Sequence, residues 1–121
     1  MTIRECYAAA GGDYDEVLSR VRDEKMVRRF AQLFLADKSY EKICHALGEG
    51  RRDDAFHVVH SLRDAAENLG LSELQRASHA LTEVLRAPES VIAESAHVFD
   101  RFHAVYHQTT AALRQMQENC G

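Results

Sequence analysis

The residues of this chain best suited to chemistry lie in one short segment. Within residues 55–70, AFHVVHSLRDAAENLG, the residues His57, His60, Asp64 and Glu67 recur at spacings of three and four. On a helix that turns about 100° per residue, these four share one face. Val58, Val59, Leu62, Ala65, Ala66 and Leu69 fall on the opposite arc. The pattern predicts a core-facing helix that holds His60 near the middle of its exposed side. Phe56 lies one turn before His60, and Arg63 sits on the adjoining ridge. A neutral imidazole in the open is a competent nucleophile near neutral pH, and a nearby guanidinium pairs well with a phosphoryl group. Phe56, at the edge of a polar face, either extends the core or offers an apolar contact to a partner.

Other groupings offer less. His57, His60 and Asp64 on one face, and His103 with His107 one turn apart, have the spacing of metal ligands, but HExxH is absent and no cysteine accompanies them. No metal site is expected. Ser61 adjoins His60 in sequence, yet consecutive helical residues do not face each other, so a serine–histidine pair is excluded there. No G-x-S-x-G, glycine-rich phosphate loop or paired-carboxylate cleft is present, and no cofactor is expected. The three cysteines, Cys6, Cys44 and Cys120, are odd in number and lack CxxC spacing, which favours reduced thiols over a disulfide framework.

The elements that must position His60 are all helical. Gly11-Gly12 breaks the chain, and Asp13 caps a short helix with Val17, Leu18 and Val21. Asp23 caps the next, with Met26, Val27, Phe30, Leu33 and Phe34 at helical spacing. Ser39 caps a third, with Tyr40, Ile43, Cys44 and Leu47 inward, and Gly48-Glu49-Gly50 ends it. The His60 helix starts at Asp53 or Asp54 and stops at Gly70. Ser72 caps a helix with Leu74, Ala77, Ser78, Leu81 and Leu85 on one face. Pro88 marks a boundary, and a last long helix runs from about 89 to 118 through Val91, Val98, Phe99, Phe102, Val105, Tyr106, Leu113 and Met116. No stretch alternates with a period of two. Short joints between amphipathic helices imply an all-α, up-down antiparallel four-helix bundle with short additional N-terminal helices.

The composition agrees. With 121 residues, 45% hydrophobic and 28% charged, the chain is expected to form one domain over residues 1–121. A net charge of −4 with scattered arginines gives no basic stripe for nucleic acid. Residues 1–10 lack the apolar core of a signal peptide, and no run approaches the roughly 18 apolar residues of a membrane span. A cytoplasmic monomer is expected.

Here the sequence resembles the histidine-containing phosphotransfer (HPt) domains of two-component phosphorelays, whose signature is H-x-L-K-G with an L-G pair at the end of the same helix. This chain has His60-Ser61-Leu62-Arg63-Asp64, then Asn68-Leu69-Gly70. Gly11-Gly12-Asp13 with Val17-Leu18, then Phe30, Phe34 and Leu35, is similar to the opening of such domains. Ala46-Leu47 before Ala55-Phe56, and Ala80-Leu81-Thr82-Glu83 with Leu85-Arg86, are similar to the family's flanking helices. The likeness covers most of the chain up to Arg86.

The resemblance implies a stand-alone phosphoryl carrier and not an enzyme. His60 would exchange a phosphoryl group with aspartates of receiver domains, and the receiver would supply Mg²⁺ and most catalytic groups. Partners would be a response-regulator receiver or a hybrid histidine kinase. Arg63, Asp64, Phe56, His57 and Glu67 would form the phosphoryl- and partner-binding surface. Two positions depart from the pattern: Arg63 replaces the usual lysine and keeps its charge, and Asp64 replaces the usual glycine beside the imidazole. Asp64 can orient the ring but repels an incoming phosphoryl group. The alternative is a degenerate module that binds a receiver or kinase without phosphotransfer.

Overall fold

A computed structural model describes residues 2–93 and 95–118, with only the main chain for residues 90 and 91. Eight helices are present among the described residues: α1 (Ile3–Ala9), α2 (Tyr14–Val21), α3 (Glu24–Ala36), α4 (Ser39–Gly48), α5 (Arg52–Asn68), α6 (Ser72–Leu85), α7 (Glu89–Ala93) and α8 (Ala96–Glu118). No strand occurs among them.

The first helix was not anticipated. Thr2 and Glu5 close a capping box around its start, and Ile3, Cys6 and Tyr7 bury its inner face. The Tyr7 hydroxyl then donates to the Leu69 carbonyl at 2.9 Å, which fastens α1 to the end of α5. Asp13 and Asp23 cap α2 and α3 as the sequence predicts. Ser39 does not cap α4. It is the first helical residue, and its N–H donates to Asp37 Oδ1 at 2.6 Å. Ser72 likewise opens α6 from inside, and the main chain of Glu73 donates to the Gly11 carbonyl. The last predicted helix is two helices. Ser95 lies outside both, and the Val98 N–H donates to its carbonyl.

Four sides make the bundle. Helix α3 runs along α8 in the opposite direction, and Tyr40 in the first turn of α4 extends the contact. Arg28 meets the Met116 carbonyl, Phe34 meets Tyr106, and Tyr40 meets His103. Helix α5 returns against α4, α6 returns against α5, and α8 closes the ring against α6. The core is continuous, with Val17, Val27, Ile43, Val59, Leu74, Leu81, Phe102 and Leu113 fully enclosed.

Burial divides the apolar residues of α3. Val27, Ala31 and Phe34 face inward, whereas Met26, Phe30 and Leu33 are 38%, 38% and 56% exposed. The apolar arc of this helix is wider than the surface that α2 and α8 cover, so its outer edge stays in solvent. Cys44, expected inward, is exposed. Cys6 and Cys44 are free thiols, and Cys120 lies outside the described residues.

Candidate functional site

Helix α5 owes its position to glycines at both ends. Gly50 follows α4 with φ +73°, and Gly70 follows α5 with φ +68°, a left-handed conformation that costs glycine little. At Gly70 a side chain would also collide, because an added Cβ would lie 2.7 Å from the Asp13 carbonyl oxygen. No side chain caps the start of α5, but Asp53 and Asp54 sit in its first turn, where negative charge suits the helix dipole. Ala55, Val59, Leu62 and Ala66 bury its inner face. Val58 and Ala65, also read as inward, are half-buried at its edge.

That burial turns His60 outward, as the wheel predicts, with its side chain 47% exposed. The rings of Phe56 and His60 lie parallel, at 8°, with centroids 6.2 Å apart. Phe56 is half-buried, and the guanidinium of Arg86, the residue that caps the end of α6, lies 5.8 Å from its ring centre. His57 is exposed and meets Phe56 edge-on at 5.5 Å. Glu67 is exposed on the same face, two turns beyond His60. Its main-chain carbonyl accepts from Arg20 at 2.7 Å.

Asp64 stands between two charged or chargeable groups. Its Oδ2 lies 3.8 Å from His60 Nε2, and its Oδ1 lies 3.7 Å from Arg63 Nη2. Both distances exceed a hydrogen bond. The short polar contact of Arg63 goes elsewhere, from Nη1 to His79 Nδ1 of α6 at 3.0 Å. The site therefore joins His60, Asp64, Arg63, His79, Phe56 and Arg86 across two antiparallel helices. Sequence reasoning missed His79 and Arg86 as members. Both are legible once α5 and α6 are taken as a hairpin about Leu71, because Arg63 and His79 are equally distant from it, as are Phe56 and Arg86.

A protein-family comparison matches the Hpt domain over residues 29–119, three quarters of the chain. The chain belongs to the Hpt domain family. Comparison with curated proteins and with solved structures returns no match. The Hpt match includes α8 and stops short of α1 and α2, so the likeness noted at Gly11-Gly12-Asp13 lies outside it. Membership brings a role related to phosphotransfer in two-component signalling. No group of three or more His, Cys, Asp and Glu side chains is arranged to hold a metal ion among the described residues. His103 Nδ1 and His107 Nε2 instead approach the Tyr40 hydroxyl, at 2.6 and 3.2 Å. Among those residues no helix is long and apolar enough to cross a membrane.

Proposed function

We propose that this Hpt domain carries a phosphoryl group on His60, received from and returned to receiver-domain aspartates. One observation supports the reading most: within an Hpt helix, the single histidine at the motif position stands exposed, with Arg63 beside it in sequence and Asp64 within 4 Å of both side chains. In the transfer, the lone pair of His60 Nε2 attacks the phosphorus of an aspartyl phosphate. The N–P bond forms as the P–O bond to the aspartate breaks, and the carboxylate leaves with the electron pair. The proton on Nδ1 stays, so the product is an N-phosphorylated imidazolium. Such a step needs positive charge around the transferred group. Arg63 supplies it from this chain, and Mg²⁺ is held by the receiver.

The exposed edge of α3 suits the partner. Phe30 and Leu33 border a cleft whose far wall contains Ser61, Leu62 and Ala65 of α5. A receiver seated over His60 covers that apolar wall as well. The domain acts as a phosphoryl carrier in the cytoplasm, with no catalytic turnover of its own.

The test is incubation with a phosphorylated receiver and Mg²⁺. An acid-labile, base-stable label on the wild type and none on His60→Gln supports the carrier. Stable receiver binding with no label on the wild type supports a domain that only binds, a role that Asp64 at the usual glycine position would favour.

A further inference from the structure

Arg63 is the natural counter-charge for a phosphoryl group on His60, yet its short polar contact among the described residues is with His79 of α6. Arginine has only donors, so in the contact with His79 the imidazole must accept through an unprotonated Nδ1. The contact leaves the Arg63 side chain only 26% exposed, while Asp64 beside it is 53% exposed. A long, flexible side chain is thus fixed from the neighbouring helix, with its second nitrogen beside the Asp64 carboxylate. The turn at Gly70 and Leu71 sets the register that brings Arg63 and His79 together.

We infer that His79 is a positioning residue that holds the Arg63 guanidinium beside Asp64, and so offsets the negative charge that an incoming phosphoryl group meets at His60. The inference rests on the reading of His60 as the acceptor. Without His79, Arg63 is free to rotate into solvent, and the Asp64 carboxylate faces the reacting imidazole without compensation. Charges a few ångströms apart at a protein surface change a transfer barrier by an amount worth about three- to tenfold in rate.

The experiment compares wild type, His79→Ala and His79→Asn. Asparagine keeps an acceptor oxygen near the place of Nδ1, and alanine removes it. Two readouts are taken on each protein: the rate of labelling by a phosphorylated receiver, and the NMR signals of the Arg63 guanidinium protons, which are resolved and slow to exchange when the group is held. The expected result is labelling slowed about three- to tenfold in His79→Ala, with the Arg63 signals lost, and both restored to within about twofold in His79→Asn. An unchanged rate in His79→Ala overturns the inference, as does an asparagine variant as slow as alanine. If even the wild type takes no label, it is the reading of His60 as acceptor that fails. The Arg63 signals then decide the tether by themselves: loss in His79→Ala upholds it and retention refutes it.

Discussion

The rings of Phe56 and His60 are parallel to within 8°, with centroids 6.2 Å apart, one turn from each other along α5. Phe56 is itself held, half in the core and under the Arg86 guanidinium. An exposed imidazole thus gains a preferred orientation from a side chain that has little freedom of its own. Phe56→Ala should lower the rate of phosphoryl acceptance about two- to fivefold, the effect expected when an oriented nucleophile becomes one of several rotamers. Phe56→Leu, which keeps apolar bulk without the flat face, should recover stability but not the full rate. Labelling kinetics beside a denaturant melt separate the two.

Asp64 offers a sharper dissociation of stability from activity. Its carboxylate is 3.8 Å from His60 Nε2, where a phosphoryl group would bring further negative charge. Asp64→Gly should speed labelling by about threefold to tenfold through loss of that repulsion. The same change should destabilise the domain by about 1 kcal/mol, because glycine is a poor residue for an exposed helix interior. Asp64→Asn should share the faster rate with less cost to the fold.

The inner face of α5 should matter first for stability. Leu62 is 3% exposed, directly beneath the site. Leu62→Ala should cost about 2–5 kcal/mol in a denaturant melt, from lost transfer energy and the cavity it leaves. Ser78 of α6 should behave in the opposite way. Its buried Oγ has no hydrogen-bond partner among the described residues, so Ser78→Ala should be neutral or stabilising by up to about 1 kcal/mol.

Tyr40 predicts a pH dependence. Burial first, and then the neighbouring Cys44, push its hydroxyl up to about 12 from an ordinary value near 10. A phenol whose folded pKa is raised favours folding in its neutral form. The contribution is fully present below the unfolded value, near 10, and is lost as pH rises through about 12. The domain should therefore lose stability between these limits, and Tyr40→Phe should flatten that part of the profile. Tyr40→Phe should also loosen α4 from α8, since the same hydroxyl contacts His103 and His107. Thermal melts across the alkaline range check both effects.

Much of this architecture is written in apolar spacing. The wheel of α5 puts His60 outside and Val59, Leu62 and Ala66 inside, because burial alone orients a long amphipathic helix. Helix α6 buries every residue expected of it. The signal fails where two neighbours compete for one side. In α3, Phe30 and Leu33 are as apolar as Phe34, and only the placement of α8 decides which of them is covered. Helix α1 carried a readable start in Thr2 and Glu5, but its seven residues are too few for periodicity to speak. The break before α8 interrupts an apolar pattern that itself continues across it. The partnership of Arg63 with His79 depends on hairpin register, which helix-by-helix reading does not contain.

Of the seven histidines of the chain, His60 is the proposed phosphoryl acceptor. The most direct measurement is to label the wild-type protein from a phosphorylated receiver and locate the phosphoryl group by fragmentation mass spectrometry under non-acidic conditions. The account predicts a single modified residue, His60, and no modification of the His60→Gln protein. Label on His57, His79 or any other residue, or a label that persists in His60→Gln, would contradict it.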